Sequence, residues 1–190
     1  MPELMRLILT RHEPIRGVPE HLKSALGAAA SMLMIGALAE VTGLPLLVAP
    51  LGATAVILFG YPGSALAQPI NIFGSYFVAT IIGVAVALFF GDVWWASAGA
   101  VGLTLFLMQT LRITHPPAGA IPVLASAMHE DSTRLFITLL VGCVGILVMA
   151  IIVHRLPPRR RYPAPKPGIP VQTPVLEESR MSEPAAVDRP

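Results

Sequence analysis

Residues 112–124 read RITHPPAGAIPVL, and they interrupt a chain of otherwise aliphatic and small side chains. Proline has no N–H and its ring clashes with the preceding turn, so consecutive prolines here break any long helix. An ionisable group at membrane depth is costly, so Arg112 and His115 mark a place with a specific partner or role. Proline is tolerated at the first position of a helix, where its N–H would be unpaired anyway. The stretch therefore predicts a short helix starting near Pro117 rather than one continuous span.

The surroundings set the class. Of 190 residues, 54% are hydrophobic and 13% charged, where a soluble domain carries about 25% charged residues. Mean hydropathy is +0.70. The apolar runs are too long for buried strands. The net charge of +2 comes from basic residues gathered near the two ends, which reads as membrane topology and argues against a nucleic-acid partner. The lone Cys143 supports neither a disulfide framework nor a metal site, and no cofactor is expected. The first residues lack the apolar core and small-residue site of a cleaved signal peptide.

Three regions follow from composition: a polar, basic segment (1–23), a transmembrane domain (24–155) and a disordered proline-rich tail (156–190). Within the middle region lie six apolar pieces, at about 24–41, 44–60, 74–91, 94–111, 116–128 and 135–153. A spanning helix needs about 20 apolar residues, with a lower limit near 17. The fifth piece is too short, and the second reaches the limit only by including Pro45 and Pro50. The expected fold is thus an all-α membrane protein of about four spanning helices plus two short broken or re-entrant helices. Six crossings arranged as inverted repeats satisfy the same pattern. PLGATAVIL from Pro50 and PAGAIPVLA from Pro117 align as Pro-x-Gly-Ala, and the helices after them carry IIGVAV (81–86) and LVGCVG (140–145). The chain reads as an internal duplication of helix, broken segment, helix.

Arg6, Arg11, Arg16 and Lys23 at one end, and Arg155 with Arg159, Arg160 and Arg161 at the other, place both termini in the cytoplasm. A bacterial inner membrane is the expected location. Trp94 and Trp95 beside Asp92 suit a turn at the membrane surface. The small pairs Ala79/Gly83, Gly99/Gly102 and Gly142/Gly145 read as helix-packing faces.

The broken segments carry the candidate site. Helices starting at Pro50 and Pro117 would point unpaired N–H groups of Gly52, Ala53, Gly119 and Ala120, and the positive ends of their dipoles, at a small anion. Discontinuous helices aimed at a central ligand are a recurrent transporter arrangement. His115, Pro116 and Arg112 would set the charge and shape, and Gln68 and Asn71 would orient the ligand. His115 can change charge near neutral pH and so link an anion to a proton. Each polar residue also has a plain structural role open to it: Thr114 or His115 as caps, Gln68 and Asn71 as loop clasps, Arg112 reaching an interface.

THPPAGA, His115-Pro116-Pro117-Ala118-Gly119-Ala120 after Thr114, together with the upstream Ala67-Gln68-Pro69-x-Asn71, resembles the HPP family of integral membrane proteins. The resemblance covers about residues 20–155. It implies about four spanning helices and, from plastid and cyanobacterial members, an association with nitrite transport. Ile70 stands where the family pattern often has a basic residue, and Ala65 where it often has proline, which points away from an identical substrate.

The function expected from these readings is a polytopic transporter or channel for a small inorganic anion, nitrite being the one the resemblance suggests. The alternative is a membrane scaffold or sensor subunit that transports nothing. Catalytic signatures such as HExxH, a Cys cluster or a Ser-His-Asp set are missing, so an enzyme is not expected. His129, Glu130 and Asp131 read as a solvated polar turn. The bundle is thin, and a homo-oligomer in the lipid bilayer is expected from its size.

Overall fold

The structure is a computed structural model that describes residues 2–11, 13, 15–128 and 132–165. The His129–Asp131 turn and the tail beyond residue 165 lie outside the described residues. Seven α-helices are found among the described residues, with no strand: α1 (Pro2–Leu9), α2 (Val18–Thr42), α3 (Ala49–Gly60), α4 (Pro69–Phe90), α5 (Trp94–Thr110), α6 (Ile121–Met128) and α7 (Ser132–Arg155). Short 3-10 turns at Ala65–Ala67 and Pro116–Ala120 precede α4 and α6.

Helices start and stop where backbone chemistry demands. Proline stands in the first turn of α2, α3 and α4. Gly43 ends α2 at φ 68°, its amide returning to the Ala39 carbonyl, and Gly91 ends α4 at φ 70°. Left-handed φ costs glycine nothing extra. At the end of α5 that conformation falls on Arg112, at φ 59°, with the Ile113 amide closing on the Met108 carbonyl at 2.9 Å.

Three helices, α2, α4 and α7, are long and apolar enough to cross a membrane by length and composition. At 17 residues, α5 is shorter. The long apolar helices make this an integral membrane protein in contact with the bilayer.

The bundle has two ends. At one, Lys23 near the start of α2 donates to the carbonyl of Leu156, just past α7. At the other, Arg134 at the start of α7 donates to the Gly43 carbonyl beyond α2, at 2.8 Å. Both broken passages travel between these ends. From Gly43 the chain runs through extended residues into α3, whose Leu58 carbonyl accepts from His154 near the far end of α7 at 3.0 Å. Arg134 and His154 are about 30 Å apart along α7 at 1.5 Å per residue. The second passage starts where the Thr114 carbonyl accepts from Asn71 at the foot of α4. It continues into α6, where Ser126 accepts from Ser97, one turn into α5 at the opposite end. Neither short helix returns to the end of the bundle it came from.

Glycines seat these passages. A methyl on Gly142 of α7 would fall 2.2 Å from a Leu51 methyl of α3, and one on Gly83 of α4 would fall 2.9 Å from the Pro122 Cα of α6. Gly83 and Gly142 are the matched glycines of IIGVAV and LVGCVG, and each receives the broken helix of the other half. Gly145 packs closely on Met34 and Ile35. An added methyl on Gly99 or Gly102 would meet nothing within 4 Å in this chain.

Beyond α7, residues 156–165 fold back as a strap, past the boundary read from sequence at 155. The Tyr162 ring lies 5.3 Å from that of His154, and its hydroxyl donates to the Ala67 carbonyl at 2.8 Å. The Ala164 amide donates to Gln68 Oε1 at 2.9 Å. Burial of Tyr162 raises its pKa, so the hydroxyl keeps its proton, and its bond, through neutral pH.

Candidate functional site

The two broken passages meet at His115. Its ring is fully buried, brought there by the extended backbone that must precede Pro116. Nδ1 lies 2.7 Å from the Leu66 carbonyl, ahead of α4. Nε2 lies 2.8 Å from Thr54 Oγ1, in α3. Thr54 Oγ1 lies in turn 2.7 Å from the Tyr76 hydroxyl of α4 and 2.9 Å from the Pro50 carbonyl. Thr54 and His115 have no exposed surface and Tyr76 almost none.

Partner chemistry assigns the protons. A carbonyl only accepts, so Nδ1 carries a hydrogen. Nε2 faces a hydroxyl, which can give or take. With neutral His115, Thr54 donates to Nε2 and accepts from Tyr76. With cationic His115, Nε2 donates to Thr54, which then donates to the Pro50 carbonyl while still accepting from Tyr76. Each of the three side chains has a hydrogen-bond partner in both patterns.

The other candidates are distributed around this centre. Pro50 and Pro117 are buried; Gly52 and Gly119 are half-buried with nothing within 4 Å of an added methyl, so neither is kept small by a neighbour. Ala53, Pro116 and Ala120 are exposed. The amides of Leu51 and Gly52 return to the Val48 carbonyl, and that of Ala118 to the His115 carbonyl. Of the donors expected to face a ligand, the Gly52 amide is thus engaged locally. Gln68 is a clasp: Nε2 donates to the Pro62 and Ser64 carbonyls, and Oε1 accepts from the strap. Asn71 likewise ties the 113–115 loop to α4, beside Ser75, which donates to the Ile113 carbonyl at 2.8 Å. Arg112 is exposed at the end of α5 and does not share the His115 junction, because its backbone turns left-handed to end the helix and carries the side chain outward. The lone Cys143 is buried and free, and the described residues hold no group of three or more His, Cys, Asp or Glu able to bind a metal.

Thr54 and Tyr76 were not singled out from sequence. Both sit in apolar helices, and a hydroxyl there reads as an ordinary helix residue. The fall of Thr54 one turn after Pro50 was the available signal.

Three comparisons with known proteins bear on this site. The chain matches the family described as "HPP, transmembrane region" over residues 13–163, which takes in the His115 junction and most of the strap. A transmembrane protein of Dictyostelium discoideum is 34% identical over 125 residues, covering 62% of this chain and 44% of its own length. A second from the same organism is 33% identical over 119 residues, covering 58% and 38%. The chain thus spans less than half the length of these curated relatives. No solved structure matches it.

Proposed function

We propose, for a chain that belongs to the HPP transmembrane family, that it carries a small inorganic anion across the membrane through the His115 junction, together with a proton. The observation that supports this best is the meeting of the two broken passages at a buried ring: His115, which leads into the 116–120 turn ahead of α6, bonds Thr54, one turn after Pro50 in α3. Such discontinuous helices at mid-depth are where transporters place their ligands. On this reading the broken passages are crossings, six in all. The halves α2–α4 and α5–α7 then have opposite orientation, as inverted copies of one unit, and both basic ends face the cytoplasm.

The electrostatics couple the two cargoes. A second proton makes His115 cationic in a buried place with no acidic partner, which is unfavourable alone. An anion supplies that partner, so proton and anion favour each other's binding. In the conformation described here Thr54 and Tyr76 fill the junction. A ligand must therefore part α3 from the 116–120 turn, as alternating access requires. Nitrite, the anion suggested by the family resemblance, is the first substrate to try.

The same closed junction favours one rival, a scaffold or sensor subunit in which every polar group serves packing. Uptake of nitrite by full-length protein in liposomes separates them, run with and without an inward proton gradient. Transport predicts uptake above empty liposomes, raised by the gradient and abolished in folded His115→Gln. Absence of nitrite, nitrate and formate uptake by folded protein supports the scaffold.

A further inference from the structure

A second site lies at the basic end of the bundle, away from His115. Between the start of α2 and the end of α7 the structure opens a cleft of about 460 Å³. Leu22, Leu26 and Ala30 of α2 line it together with Val153 and Leu156, and Lys23 is the one basic residue among the lining. Leu22, Leu26 and Leu156 each remain more than half exposed. Lys23 Nζ donates to the carbonyls of Leu156 and Pro158, at 2.6 and 2.5 Å. An ammonium has three protons, so one is left for a ligand. Arg160 is paired with Glu20 at 3.4 Å. Arg155, Arg159 and Arg161 are exposed and have no ion-pair or hydrogen-bond partner among the described residues.

We infer that this cleft binds one anionic phospholipid, an acyl chain lying along the apolar walls and the headgroup phosphate met by Lys23, with Arg155 and Arg159, the chain neighbours of the cleft-lining Leu156 and Pro158, adding positive charge beside it. Charge complementarity chooses the occupant. A zwitterionic lipid would fill the walls equally well but offer these cations no net charge, and basic clefts between helix ends on the cytoplasmic side are where anionic headgroups collect. A bilayer supplies this ligand to the cleft sideways. The site does not depend on whether the His115 junction transports anything.

Binding would also reach the strap. Leu156 lines the cleft, and the strap it begins is anchored at Ala67 and Gln68, next to the Leu66 carbonyl that holds His115. A bound lipid would hold the strap in the position described here.

The test is native mass spectrometry of the full chain in detergent, with phosphatidylglycerol and phosphatidylcholine of identical acyl chains offered together. The expected result is one retained phosphatidylglycerol in clear preference to phosphatidylcholine. The preference falls by about fivefold for each of Lys23→Gln and Arg159→Gln, while Ala30→Phe, which fills the cleft, removes retention of either lipid. Thermal unfolding without added lipid verifies that each variant is folded. Equal retention of the two lipids overturns the inference, as does retention that survives Ala30→Phe. A lipid-independent dimer disrupted by Ala30→Phe would give the cleft to a second copy of the chain and equally overturn it.

Discussion

The two broken passages do the same topological job with different chemistry. The first, from Gly43 to Gly60, has no ionisable side chain. It is held by apolar burial: Leu51, Leu58 and Phe59 have essentially no exposed surface. The second, from Arg112 to Met128, brings the buried His115 and needs polar neighbours to receive it. The first passage supplies one of them, Thr54, and the turn before α4 another, the Leu66 carbonyl. The apolar passage thus acts as wall and the polar one as key. Irregular backbone in a membrane is tolerated where protein covers it, and here each passage is covered by a helix of the other half.

This contrast can be broken experimentally, and the sharpest cut is at the ring. His115→Ala leaves the Leu66 carbonyl and Thr54 without their shared partner and opens a cavity, so it should cost about 3 kcal/mol. Reversible unfolding in mixed micelles would read this, and a cost near zero would show that the ring is not what joins the passages. Gly83→Ala comes next, at about 2 kcal/mol, because its methyl would press on the backbone of Pro122 and a backbone cannot step aside as a flexible side chain can. Should it unfold like wild type, the close seat of α6 on α4 is not real.

Thr54→Val keeps the shape but removes the hydroxyl, and about 1.5 kcal/mol is expected. Because the two mutations act on one bond, the His115→Ala, Thr54→Val double variant should fall well short of additivity; full additivity would separate the passages energetically. Arg112→Gly should raise stability by about 1 kcal/mol, since arginine holds a left-handed conformation that glycine adopts freely. A loss would give the arginine a partner that its exposed position does not suggest. The smallest effects belong to the motif glycines. Gly52→Ala and Gly119→Ala meet empty space and should change stability by less than about 0.5 kcal/mol. If either abolishes uptake while leaving stability intact, that glycine leaves room for a ligand.

Much of the architecture was legible in particular residues. Pro50 announced a helix that begins inside the apolar region, and α3 does; Pro117 falls instead in a 3-10 turn, and α6 begins four residues later at Ile121. The match between IIGVAV and LVGCVG picked out Gly83 and Gly142, which turn out to seat opposite broken helices. The site was only partly legible. His115 was visible as a lone ionisable group, but its partners are a backbone carbonyl and the Thr54 hydroxyl, itself bonded to that of Tyr76, and none has a sequence signature. Gln68 and Asn71 looked like ligand groups because they are polar in an apolar setting; they prove to be clasps, because the loops at the foot of α4 have carbonyls to satisfy. The strap is not legible in the sequence, because proline and charge resemble disorder until Tyr162 finds a half-buried place against the core.

By itself, the sequence determined the class of the molecule, an all-helical membrane protein interrupted twice, since apolar length and proline act locally and leave a pattern in the chain. The tertiary structure alone decided that the interruptions run from end to end, that each is seated by the other half, and that His115, Thr54 and Tyr76 form one hydrogen-bonded group. Those outcomes depend on contacts between residues 22 and 61 positions apart in the chain, and helix periodicity holds no record of which distant face a side chain will meet.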